Sequence, residues 1–94
     1  MIKVVAKSIV KEDKIEEFKS LAEKLIAETR KETGCISYQL FQDINDEKVF
    51  AMIEEWESSD DLQNHINSEH YRKIVPQLAN LRKNSEINKY KLVM

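Results

Sequence analysis

The spacing of apolar side chains changes period several times along the chain, and each change marks an element. Residues 2–10, IKVVAKSIV, are rich in β-branched side chains and poor in helix formers, which predicts a first strand. In EDKIEEFKSLAEKLIAETRKETG the residues Ile15, Phe18, Leu21, Ala22, Leu25 and Ile26 recur three and four apart, the stripe of an amphipathic helix. Asp13 and Glu16 have capping-box spacing at its start, and Gly34 supplies a stop. Strand chemistry returns in CISYQLFQ (Cys35–Gln42) and VFAMIEEW (Val49–Trp56), joined by the turn-forming DINDEK, so the two predict an antiparallel hairpin. Ser58 or Ser59, followed by Asp60 and Asp61, starts a second helix with Leu62, His65 and Ile66 along one side. A break is expected around Asn67 and Ser68, after which Tyr71, Ile74, Val75, Leu78 and Leu81 form another stripe. Pro76 in that stripe predicts a kink or a helix boundary near Val75. EINKYKLVM, Glu86–Met94, predicts the closing strand.

The order βαββαβ is that of a ferredoxin-like α+β domain, an antiparallel sheet with helices on one face, and residues 1–94 make a single such domain. Parity adds a further expectation. Phe50, Met52, Glu54 and Trp56 share one face of the third strand, and Val49, Ala51 and Ile53 lie on the other. Helices cover only one of two largely apolar faces, so a homodimer packed sheet to sheet is expected, with the C-terminal strand able to reach across.

Charge narrows the partners. Fifteen basic and seventeen acidic residues leave a net charge of -2, which supplies no surplus of cations for phosphates, and no nucleic-acid partner is expected. The first residues, MIKVVAKSIVKEDK, contain no apolar run long enough for export or membrane spanning, and the lone Cys35 forms no internal disulfide. A cytoplasmic protein without membrane association is the resulting expectation.

Candidate chemistry gathers in EEWESSDDLQNHINSEHYRK, Glu54–Lys73, which holds the only tryptophan and both histidines. His65 is the candidate base, since imidazole titrates near pH 6.5 and this one shares the inner stripe with Leu62 and Ile66. Glu54, on the Trp56 face, is placed to orient or polarise it. Tyr38, grouped with Ile36 and Leu40 by parity, offers a hydroxyl to a substrate oxygen or serves as a core aromatic. Trp56 is either a stacking wall for an aromatic ligand or the filler at the end of the core. His70 lies five positions beyond His65, about 140° around an ideal helix, which predicts that the two do not share a face and that His70 caps or orders the helix break. His65 and Glu69, four apart, have no third ligand in view, so no metal is predicted. Cys35, with nothing basic near it in sequence, reads as a small hydrophobe. Glu55, on the opposite face from Glu54, reads as a strand-end charge.

The combination of Gly34-Cys35 with Tyr38, Glu55-Trp56, and His65 and His70 separated by INSE resembles the antibiotic biosynthesis monooxygenase (ABM) domain family, dimeric α+β barrel proteins that include quinol monooxygenases. The likeness extends over nearly the whole chain. It implies a pocket inside each protomer between sheet and helices, lined by Trp56, Phe50, Met52, Leu62 and His70, with His65, Glu54 and Tyr38 as the catalytic set. It implies oxygenation of a small quinol-like aromatic without metal or flavin, the deprotonated substrate itself reducing dioxygen. The chain departs from the better-described oxygenases, which have an asparagine four residues before the tryptophan and a tyrosine six after; Met52 and Leu62 stand there. Haem-degrading relatives use a first-strand asparagine that IKVVAKSIV lacks. A third branch, similar in its glutamate, tyrosine and histidine, isomerises a phosphorylated signalling sugar, and Glu54, Tyr38 and His65 match that arrangement. An isomerase of a small phosphorylated keto compound, and a non-catalytic binding or stress-response module, therefore stand as alternatives.

Overall fold

Alternation along the strands decides which side of the sheet is covered. In β1 (Ile2–Val10) Val4, Ser8 and Val10 are buried with Ala6 half-buried between them, and in β3 (Val49–Trp56) Phe50, Met52, Glu54 and Trp56 are buried, so alternate residues face the core in both. The computed structural model describes all 94 residues. Between and after these strands come α1 (Ile15–Thr29), β2 (Cys35–Gln42), α2 (Ser59–Ile66), α3 (Glu69–Ala79) and β4 (Arg82–Lys91). The strands form one antiparallel sheet in the order β2-β3-β1-β4. This is the expected ferredoxin-like α+β fold, with its second helix divided in two. No helix is long and apolar enough to cross a membrane.

The core lies between the covered face and the helices. Phe18 of α1 stacks at 5.2 Å on Phe50, Leu25 and Ala22 sit deeper along the same helix, and Ile74 and Leu78 enter from α3. Burying such side chains contributes roughly 1.5–3 kcal/mol each. On the open face Val5, Ile9, Val49, Ala51 and Ile53 form a half-buried aliphatic strip, flanked by exposed Phe41 and Tyr90.

Four local expectations are corrected. Residues Glu12–Lys14 form a 3-10 turn ahead of α1, so its N-cap is Lys14 and Asp13 makes no cap. Helix α3 runs on past Pro76 to Ala79 with no boundary near Val75. The lost amide donor faces outward, where Arg72 and Pro76 are both exposed. A bulge between Cys35 and Ser37 shifts the pairing of β2 with β3 by one residue, which turns Ile36 out to solvent and leaves Tyr38 and Leu40 facing the helices. The last strand starts at Arg82 rather than Glu86 and ends at Lys91, because β4 pairs along the whole of β1. An edge strand open to water needs no apolar alternation to be stable, so RKNSE carries no strand signature.

Candidate active site

Two junctions build the site. Helices α2 and α3 meet at Asn67 and Ser68, where the Ser68 hydroxyl donates to the His65 carbonyl at 2.7 Å and accepts from the Tyr71 amide at 3.3 Å. Ser58 caps α2 by accepting from the Asp61 amide. The second junction is the turn between α1 and β2. Gly34 has φ +82°, and a Cβ there would overlap the Asp61 side chain, so only glycine lets this turn lie against the start of α2. The turn thereby carries Glu32 to the α2–α3 break.

At that meeting point one carboxylate oxygen holds both histidines. Glu32 Oε2 is 2.7 Å from His65 Nδ1 and 2.7 Å from His70 Nε2. A carboxylate oxygen only accepts, so the neutral His65 ring carries its proton on Nδ1 and leaves Nε2 as a lone pair. That Nε2 is buried and has no hydrogen-bond partner. His65 is 1% exposed, with Trp56 (4.7 Å), Tyr71 (5.0 Å) and Tyr38 (5.3 Å) around its ring. Burial pushes its pKa below the ordinary histidine value, against the opposing hydrogen bond and charge of Glu32. The ring is thus a neutral base with a fixed tautomer.

His65 lines a cavity of about 420 Å³ between sheet and helices, walled mainly by apolar side chains including Phe50, Met52, Leu62, Leu78 and Val75. Glu54 and Tyr38 line it too. Glu54 is 5% exposed and its Oε1 accepts the Trp56 indole N–H at 3.0 Å. Burial raises its pKa from an ordinary 4.5 to about 7, with the indole hydrogen bond pulling the other way. Burial and the neighbouring Glu54 charge hold the Tyr38 hydroxyl far above its usual range, and the same two causes raise that of Tyr71. Both remain donors at any ordinary pH. Burial also pushes the Cys35 thiol up, with Glu32 and Glu54 adding to it, which fits an unreactive side chain.

Four placements differ from expectation. Trp56 is wholly buried and does not line the cavity; it sits behind Glu54 and His65 as their support, because α2 closes over the end of β3. His70 does not line the cavity either. It does come back to His65, with ring centroids 6.2 Å apart, since the helix break cancels the rotation that a continuous helix would impose. The group that hydrogen-bonds His65 is Glu32, and Glu54 is committed to the indole instead. Glu69 is exposed and outside the cluster, while Glu32, His65 and His70 place three metal-ligating atoms within 4.8 Å of one another. That donor set suits a divalent cation, whose binding would displace both hydrogen bonds and move the His65 proton to Nε2.

Residues that the sequence reading missed are Glu32, Tyr71, Arg82 and Lys89. Tyr71 was visible as part of an apolar stripe, and it lines the cavity. Arg82 and Lys89 line it from β4.

The profile of the family "Antibiotic biosynthesis monooxygenase" (ABM) matches residues 1–77. The chain belongs to the ABM family. A Bacillus subtilis relative, "Putative monooxygenase YcnE", is 35% identical over 75 residues, covering 80% of this chain and 79% of that one. The Synechocystis sp. protein sll1783 is 36% identical over 91 residues, 95% of this chain but only 62% of its own length. The crystal structure of a conserved protein from Methanosarcina mazei Go1 superimposes with a TM-score of 0.94 at 43% identity, over 96% of this chain and 90% of that one. ABM membership accounts for the fold.

Proposed function

We propose that this ABM-family chain is a cofactor-independent monooxygenase that oxidises a small quinol-like aromatic in the cavity between sheet and helices. One observation carries the reading: His65 has its Nδ1 tied to Glu32 and an unpartnered Nε2, on a ring that forms part of the cavity wall. In this scheme Nε2 removes a phenolic proton, and the electron-rich anion reduces dioxygen; one oxygen atom enters a ring C–H as a hydroxyl while the quinol becomes a quinone, and the other oxygen takes the two hydrogens released and leaves as water. Tyr38 and Tyr71 donate hydroxyls to the substrate oxygens, a role that Met52 and Leu62 cannot fill. The apolar wall keeps competing water away from the anion. The half-buried strip Val5, Ile9, Val49, Ala51 and Ile53 supports a homodimer formed sheet to sheet. A cytoplasmic location goes with the lone thiol.

A second reading rests on Glu54. A carboxyl with a pKa of about 7 and a neutral imidazole line one cavity, which is the acid and base of an isomerase acting on a small phosphorylated keto compound. An oxygen electrode separates the two. The monooxygenase consumes oxygen with simple hydroquinones, and His65→Gln lowers the rate by about 10²–10⁴ while the far-UV spectrum is kept. Hydroquinones left untouched in air, with keto substrate turnover under argon, would replace the first reading by the second.

A further inference from the structure

The cavity has two unlike ends. Its inner end is the His65, Glu54 and Tyr38 corner; its outer end is β4, where Ile87 is 54% exposed although it faces the helices. Across the sheet Lys89, Val4, Glu54 and Tyr38 form one row of directly paired residues, so Lys89 stands two strands from Glu54, roughly 10 Å. Arg82 joins from the start of β4. Its Nη1 donates to Ser8 Oγ at 3.3 Å, and Ser8, 5% exposed, is the one polar residue among Val4, Ala6 and Val10 on the covered face of β1. A buried hydroxyl in an apolar row therefore holds a guanidinium on the cavity wall.

Neither cation has a counter-ion. Every ion pair in the protein is made by other residues, and Arg82 has no acceptor apart from Ser8. The only acid lining the cavity is Glu54, two strands from Lys89 and engaged with the Trp56 indole. A chain with net charge -2 thus presents a positive cavity mouth. Lysine and arginine on an edge strand also discourage strand addition, but that purpose does not explain a buried Ser8 that binds one of them on the inner side.

We propose that the ligand of this cavity is an amphipathic anion: an apolar, one- or two-ring body with a carboxylate or phosphate group, anchored by Arg82 and Lys89 while its reactive end meets His65. This rests on the cavity being the ligand site, as in the proposed function. Arg82 supplies a planar fork of donors for an oxyanion, and Lys89 a mobile charge at the rim. The row spacing matches a short aromatic acid.

Titration calorimetry with 2-naphthoate, 2-naphthyl phosphate and 2-naphthamide tests it, because the three share one apolar body. At least one of the anions should bind about tenfold more tightly than the amide. Arg82→Met with Lys89→Met should remove that preference, so that the anions bind no more tightly than the amide, with circular dichroism confirming the fold. A preference for phosphate over carboxylate, or the reverse, then assigns the oxyanion. Equal affinity for all three overturns the anion anchor and leaves the cavity reading standing, as does an anion preference that survives the double substitution. Absence of binding by every probe overturns the cavity reading and this proposal with it.

Discussion

β3 and β4 flank the same strand, pair antiparallel with it along its length, and differ completely in exposure. Phe50, Met52, Glu54 and Trp56 of β3 are all at most 7% exposed, whereas every residue of β4 beyond Arg82 is exposed. Helices α1 and α2 pack over β2 and β3, which leaves the inner side of β4 as the rim of the cavity. One strand supplies groups whose ionisation is set by burial; the other supplies charges open to water. A single sheet can therefore hold a reactive corner rigidly and still keep it accessible.

The largest effect expected from this contrast is at Trp56. Trp56→Ala should cost about 3–5 kcal/mol in urea unfolding, since a fully enclosed ring leaves a void that neighbours refill only in part. A cost near zero would mean that the inner end is loosely packed. Glu54→Gln comes next and should stabilise. The unfolded carboxyl releases its proton near 4.5 and the folded one at about 7, so the native state binds the extra proton in that window and wild-type stability falls as pH rises through it. The glutamine variant lacks this slope, and its unfolding free energy at pH 8 should exceed the wild type's by up to about 3 kcal/mol, with no gain below pH 4.5. Parallel pH profiles for the two proteins would show instead that Glu54 titrates as if in water.

Removing the shared acceptor should have a somewhat smaller effect. Glu32→Ala leaves two imidazole N–H groups without their partner, at about 1–3 kcal/mol, and nitrogen NMR should show His65 losing its single Nδ1-protonated tautomer. An unchanged tautomer would remove Glu32 as the group that orients the base. Ile87→Ala closes the series: a rim side chain half open to solvent should change stability by less than about 1 kcal/mol. A loss as large as that at Trp56 would show that something covers β4, and analytical ultracentrifugation would say whether a second copy does.

The same contrast explains what could be read from the chain. Elements with one buried face announce themselves, so β1, α1, β3 and the α2–α3 break follow from spacing alone. The start of β4 does not, because water accepts any polar residue on an edge. His65 is legible because a titratable ring on an apolar stripe is conspicuous, and Glu54 because parity puts it on the Trp56 face; Tyr38 entered through the family resemblance, since the bulge beside Ile36 breaks the parity of its strand. Glu32 sits among Arg30, Lys31 and Thr33 in a polar turn and is separated from its partners by more than thirty residues; only the docking of that turn gives it a role. The ideal-helix rotation that parted His70 from His65 held for a continuous helix, and Ser68 ends that continuity.

The chain has one glycine, and it occupies a spot where a single methyl would have nowhere to go. Any replacement of Gly34 pries the loop off its seat and takes the acid away from both imidazoles, though the glycine itself donates no atom to their chemistry. The position that decides where the acid sits is thus one that would never be picked from a list of reactive side chains.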